Sequence, residues 1–198
     1  RVDEAADEAA LARTALLEAG EPALAARADI NLANLEKLRG APDRALAHLD
    51  RARVALEGDV TMLAHIDNAR GEALLFLDRF DESENAFRSS LDAFAGTAGF
   101  AEAILRGNLA DLCARQGRLQ EALSQFEAAR RRLERDGAAG HVARLLVEQA
   151  EALETAGLVE DALAAYEEAI PRLVDIGLTF EQARARLGRG RTLLRLNR

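Results

Sequence analysis

Four segments of this chain superimpose on one another at a period of 38–40 residues. That period restricts the chain to a repeat architecture before any single residue is considered. The segments read INLANLEKLRGAPDRALAHLDRA, ARGEALLFLDRFDESENAFRSS, GNLADLCARQGRLQEALSQFEAA and VEQAEALETAGLVEDALAAYEEA. A small residue recurs in the first half of each, at Ala33, Gly71, Ala110 and Ala150, and again at Gly190. Seven positions on stands a turn former: Gly40, Asp78, Gly117, Gly157 and Asn197. The second half carries a small residue at Ala45, Ser83, Ala122 and Ala162. A large one follows at Leu49, Phe87, Phe126 and Tyr166, then another small one at Ala52, Ser90, Ala129 and Ala169.

The pattern has a physical cause. Two helices pack closely only where small side chains let their backbones approach, and a large neighbour fills the space beside each gap. Gly, Asp or Asn at the turn tolerates the left-handed conformation that ends a helix. One such hairpin cannot bury its apolar face alone, but stacked neighbours can. Ala and Leu dominate the composition, with three Pro and no Trp, and strand-like alternation is absent. The periodicity predicts ten helices, over 2–19, 24–38, 43–57, 62–77, 81–94, 99–115, 119–135, 140–155, 159–174 and 179–196.

The small–turn–small–large–small order resembles the tetratricopeptide repeat (TPR) family over nearly the whole chain. The resemblance implies an all-α, right-handed superhelical solenoid of antiparallel hairpins. Two features depart from the family pattern. Glu36, Leu74, Cys113 and Leu153 stand where the family often has Tyr. The period also exceeds the usual value of about 34, and longer helices and inter-repeat loops are expected to absorb the excess. The expected organisation is one repeat domain, 1–198: a half-repeat 2–19, repeats 24–57, 62–95, 99–135 and 140–174, and a half-repeat 179–198. Ala5, Ala9, Ala12 and Leu16 lie 40 residues before Ala45, Leu49, Ala52 and Leu56, so residues 2–19 read as a lone second helix and 179–198 as a lone first helix. A piece of a longer protein is the expectation.

A narrower resemblance rests on ARADINLANL, DNARGEALLFLDRF, NLADLCARQGRLQEAL and TLLRLNR. These look like the long-period arrays that precede caspase-like CHAT protease domains in bacteria, and like arrays of bacterial transcriptional and ATPase regulators. The resemblance implies a regulatory or recognition module with no dyad of its own.

Charge and chemistry narrow the function further. A net charge of −8 opposes general nucleic-acid binding and an anionic membrane surface. No apolar run approaches the roughly 18 residues of a membrane span. One cysteine excludes an intrachain disulfide, and with no recognisable signal peptide it points to the cytoplasm, although the chain opens with Arg. Cys113 is expected to be a buried small hydrophobe. His48, His65 and His141 are scattered and no phosphate-cradling glycine motif occurs. No catalytic residue, cofactor or metal is therefore expected.

In the TPR family the first helices line a groove. The resemblance carries that role to positions around each small slot: Arg27, Asn34 and Lys37; Asn68 and Glu72; Asp111 and Arg115; Arg144 and Glu151; Arg191 and Arg195. A protein or peptide partner is expected there, or an adjacent domain of the parent chain. The set does not form a carboxylate clamp, because Asn34 alone matches one and Ile30 and Ala69 replace polar members. The alternative is a sensor of small signalling peptides, for which Asn31, Asn34, Asn68 and Asn108 would hold peptide backbone. Residues 172–198 hold seven Arg against Asp175 and Glu181. There Ala183, Leu187, Gly190 and Leu194 are expected to pack near Leu163 and Tyr166, with Arg184, Arg191 and Arg195 facing Glu148, Glu151 and Glu154. Leu193 and Leu196 are expected to be left uncovered, forming an edge for self-association.

Overall fold

The computed structural model describes residues 2–94 and 99–197; residues 1, 95–98 and 198 lie outside the described residues. Among the described residues there are ten α-helices and no strand. They are α1 (Val2–Glu18), α2 (Pro22–Leu38), α3 (Pro42–Ala55), α4 (Val60–Phe76), α5 (Phe80–Phe94), α6 (Gly99–Arg115), α7 (Leu119–Arg135), α8 (Ala139–Thr155), α9 (Val159–Ile176) and α10 (Thr179–Arg195). Every predicted boundary falls within two residues of the observed one. The chain divides into two compact units, residues 1–96 with α1–α5 and residues 97–198 with α6–α10.

Local sequence sets the punctuation. Pro22 and Pro42 open α2 and α3, where a missing N–H costs nothing. The Asp59 carboxylate accepts from the Met62 N–H at 3.0 Å and caps α4. All five expected turn formers take positive φ, including the non-glycines Asp78 (55°) and Asn197 (54°). Gly20, Gly58, Gly137 and Gly177 do the same between successive hairpins.

In the first unit, α2 pairs with α3 and α4 with α5, while α1 lies on α2. The first helices α2 and α4 also touch each other, whereas the second helices α3 and α5 do not. The small slots are fully buried at Ala33, Ala45 and Ala52, with Leu49 between the helices. In the α4–α5 hairpin, Phe87 covers Gly71 so tightly that a Cβ there would lie 2.5 Å from the ring. The slots at Ser83 and Ser90 hold hydroxyls, and both find backbone acceptors on α4: Gly71 O at 2.8 Å and Ala64 O at 2.7 Å. A buried hydroxyl so satisfied escapes the desolvation cost that otherwise keeps such slots apolar.

The second unit repeats the scheme with α6–α7 and α8–α9, with α10 on α9 and α8. Its core gathers Ala103, Ala110, Phe126, Ala129, Val147 and Tyr166. Cys113 is buried there, 1% exposed, as expected of a small hydrophobe. Ala122, Ala129 and Ala162 are likewise fully buried at helix contacts.

The expected register of α10 is corrected. Ala185, Gly188 and Thr192 are its buried residues, and Gly188 lies against the Tyr166 ring. Ala183, Leu187, Gly190 and Leu194 are exposed, Leu187 at 65% and Leu194 at 76%. Leu193 and Leu196 are half-buried, not uncovered. The reason is geometric. The Gly190 slot belongs to the face that each earlier first helix turns toward its own second helix, and among the described residues no second helix follows α10. What α10 buries is the neighbouring face, directed at the preceding hairpin.

Candidate functional site

The side of a first helix opposite its hairpin partner is where packing leaves polar groups free to differ. Positions six and three before the small slot, and one after it, share that side because they lie three or four residues apart. In the first unit these positions are Arg27, Ile30 and Asn34 on α2, and His65, Asn68 and Glu72 on α4. With Asn31, Met62 and Ala69 they line an open depression of about 500 Å³. Asn68 Nδ2 donates to Glu72 Oε1 at 3.0 Å, and Lys37 forms an ion pair with Glu72 across the two helices. The His65 ring meets Phe94 edge-on, with centroids 5.1 Å apart. Four expected residues, Arg27, Asn34, Asn68 and Glu72, thus come together, and Lys37 joins them through Glu72.

A set of buried carboxylates stands behind this surface. Asp29 on α2, 3% exposed, accepts from Arg13 Nε of α1 at 2.7 Å; His48 Nδ1 of α3 lies 2.7 Å away and Arg51 3.2 Å. Burial by itself would raise the Asp29 pKa. The Arg13 and His48 hydrogen bonds, with the charges of Arg13 and Arg51, outweigh it and hold the carboxyl below its ordinary range. One repeat on, Asp67 of α4 pairs with Arg53 of α3 and accepts from Ser89 Oγ of α5 at 2.8 Å. Sequence reasoning missed these clasps. The signal was present: Asp29 and Asp67 each stand four residues before a small slot, and Arg13 and Arg53 stand 40 residues apart.

The second unit carries a smaller depression of about 220 Å³ between α6 and α8, lined in part by Ile104, Asn108, His141, Arg144 and Glu148. His141 meets Phe100 edge-on at 4.6 Å. Burial, and then the charge of Arg144, lower the His141 pKa. Arg144 itself reaches Glu181 at 2.9 Å. Asp111 and Arg115 pair with each other along α6 at 3.2 Å and do not line the depression.

The remaining expected residues fasten α10 to α8. Arg184 Nε donates to Glu151 at 2.7 Å, Arg191 lies 3.1 Å from Glu154, and Arg195 donates to the Glu154 carbonyl at 2.9 Å. The Tyr166 hydroxyl also donates to Glu154, at 3.1 Å. Burial, and then the Glu154 and Glu151 charges, push the Tyr166 phenol well above its ordinary pKa. Burial would raise the Glu154 carboxyl; the Arg191 and Tyr166 hydrogen bonds and the Arg191 and Arg195 charges lower it overall. Glu151, Arg191 and Arg195 are therefore engaged within the protein. A further depression of about 350 Å³ lies among α7, α8 and α9, and there Arg130 bridges to Glu168 at 2.9 Å.

The thiol of Cys113 is buried, and among the described residues no three His, Cys, Asp or Glu side chains converge as metal ligands. Among them, too, no helix is long and apolar enough to cross a membrane.

Comparison with known proteins places these features. The tetratricopeptide repeat family matches residues 61–135 and 100–174, more than half of the chain. A kinesin light chain-related protein of Arabidopsis thaliana is 34% identical over 138 residues, 66% of this chain. The match spans only 21% of that relative's length. Among solved structures, aspartyl phosphate phosphatase F from Bacillus subtilis superimposes with a TM-score of 0.75, 13% identity, 91% of this chain and 49% of its own. A Rap protein complexed with Competence and Sporulation Factor gives 0.69, with 13% identity, all of this chain and 60% of its own. BtubC from P. vanneervenii gives 0.61, with 15% identity, 98% of this chain and 86% of its own. At these identities the structural likenesses establish the fold.

Proposed function

This chain belongs to the tetratricopeptide repeat family, and on that premise we propose that it is a non-catalytic scaffold that binds a protein or peptide on the exposed faces of its first helices. The observation that carries this reading is the depression of the first unit. Asn31, Asn34 and Asn68 there present amides beside Arg27, His65 and Glu72. An extended peptide has an N–H and a C=O at nearly every residue, and each must find a partner when it leaves water. Amide side chains serve both needs, because each offers donors and an acceptor. The amides do not repeat at one position, since Asn34 corresponds to Glu72 and Asn68 to Ile30, but both neighbouring first helices contribute polar groups to one lining, so peptide laid across them would meet polar groups from each.

The same three amides favour a second reading, that of a sensor for a small signalling peptide. One fold neighbour, the Rap protein, was solved with a factor bound. The proposed setting is a recognition module of a bacterial signalling or CHAT-protease protein, resting on the sequence strings quoted above. The single cysteine fits a reducing compartment, and the cytoplasm is the proposed location.

The test is selection from a displayed library of random peptides on the 1–198 chain. Selected peptides should bind about tenfold more weakly to Asn34→Ala/Asn68→Ala, the loss expected from about 1.4 kcal/mol of hydrogen bonding. Unchanged melting of the variant would separate binding from folding. Peptides that bind both proteins equally would overturn the reading.

A further inference from the structure

The depression of the first unit has two unlike ends. At one end stands Arg27, exposed on α2. Every other arginine described in the first unit lies within ion-pair distance of a carboxylate; among the described residues Arg27 has no such partner. His65 takes the corresponding place on α4, six residues before the small slot. The one carboxylate among the lining residues, Glu72, stands two turns further along α4 and is engaged by Lys37 and Asn68. The guanidinium at position 27 is thus left without a local counter-charge. A carboxylate brought to it would gain a charge-assisted hydrogen bond, about twice as strong as a neutral one.

At the other end both helices finish on a large apolar residue. Leu38 ends α2 and Phe76 ends α4, and they are 73% and 61% exposed. Each stands five residues past its small slot, four past Asn34 or Glu72, and eleven past Arg27 or His65. Eleven residues make three turns, so Leu38 and Phe76 share the side of their helices that lines the depression. The repeat does not demand this: the corresponding residues of α6 and α8 are Arg115 and Thr155. A single exposed apolar side chain is ordinary. Two at one register position of neighbouring helices, beside a polar depression, form a surface that a large apolar side chain can cover.

We propose that the first unit takes an extended, amphiphilic peptide, with an acidic side chain on Arg27, its backbone on Asn31, Asn34 and Asn68, and a large apolar side chain on Leu38 and Phe76. This rests on the peptide-binding reading and adds which peptides that surface takes, and in what register. The helix rise sets the register: eleven residues at about 1.5 Å each span about 16 Å. An extended chain advances about 3.3 Å per residue, so the acidic and apolar residues stand about five positions apart. The net charge of −8 does not oppose this. Exposed charges more than about 10 Å away are largely screened, whereas Arg27 meets the carboxylate directly.

The test is selection of displayed random peptides on the 1–198 chain, followed by titration with synthetic copies that are acetylated and amidated. Blocked ends carry no charge, so a carboxylate on Arg27 can only be a side chain. The selected sequences should share Asp or Glu about five positions from Leu, Phe or Met. Replacing that acid by its amide should weaken binding to the wild-type chain about tenfold, and to Arg27→Gln hardly at all. Arg27→Glu should in turn prefer the peptide with Lys at that place. Leu38→Ser/Phe76→Ser should also weaken binding about tenfold, with no further loss once the apolar residue of the peptide is Ala. All three side chains are exposed, so helical dichroism and melting should not change. Peptides that need Asn34 and Asn68 but are indifferent to Arg27, or to Leu38 and Phe76, would leave the peptide-binding reading standing and overturn this register. Binding that requires a free C-terminus would overturn it too, since a terminal carboxylate would then be the group held. If no selected peptide depends on Asn34 and Asn68, both fall together.

Discussion

Gly188 on α10 lies so close beneath Tyr166 on α9 that a Cβ at position 188 would stand 2.4 Å from the phenol oxygen. Two residues on, Gly190 has nothing within 4 Å of the same imagined atom. Alanine should therefore act in opposite directions at the two sites. Gly188→Ala overpacks a buried ring and should cost about 1–3 kcal/mol. Gly190→Ala removes backbone freedom from the unfolded chain and should stabilise by about 0.5–1 kcal/mol. Urea unfolding at low protein concentration measures both. Equal effects would show that α10 is rotated from the described register.

Asp29 should make the first unit sensitive to acid. Its folded-state pKa lies below the ordinary 3.8, so the stability it provides is present above that value and lost as pH falls through the folded one. Asp29→Asn should reduce stability at neutral pH by about 2 kcal/mol, the scale of hydrogen bonds to charged groups. It should also flatten the acid limb. Unfolding titrations at stepped pH read both effects, and an acid limb identical to wild type would assign the sensitivity elsewhere.

His141 should act at milder pH in the second unit. Its folded-state pKa is lowered from the ordinary 6.5, first by burial and then by Arg144, so the neutral ring is the form the fold accepts. The stability is complete above the unfolded value and declines as pH falls through it toward the folded one. His141→Phe, which keeps an aromatic edge against Phe100, should remove that decline. Thermal melts on either side of pH 6.5 are the measurement. A persistent decline in the variant would rule out this histidine.

Ala122 is fully buried between α6 and α7. Ala122→Leu should destabilise by about 1–3 kcal/mol through overpacking. The same burial shields Cys113, so the native thiol should react with a disulfide reagent only at the rate of local opening. Prompt modification without denaturant would contradict the packing described.

The helices and turns were legible because their causes are local. A small slot needs Ala, Gly or Ser, and a left-handed turn needs Gly, Asp or Asn; both demands recur every 38–40 residues, from Ala33 and Gly40 to Ala150 and Gly157. The failure at α10 has the same origin. The repeat located the Gly190 slot, but a slot is buried only when its partner helix is present, and the pattern does not say which of two adjacent faces a terminal helix will bury. The site was legible in part. Register put Asn34, Asn68 and Glu72 on one surface. It did not distinguish polar groups left facing solvent from those, such as Glu151 and Arg191, that fasten one helix to the next. Ion pairs between helices depend on reach and rotamer, and neither is periodic.

Within each unit, every helix touches only helices one or two places away along the chain. A molecule connected in that way has low contact order, so folding need not wait for distant segments to meet. Each hairpin can close as soon as its own two helices exist. Opening should be equally piecemeal, because releasing α1 dissolves its interface with α2 and leaves the rest standing. Amide hydrogen exchange in the first unit should accordingly be faster in α1, which touches α2 alone, than in α2, which touches α1, α3 and α4.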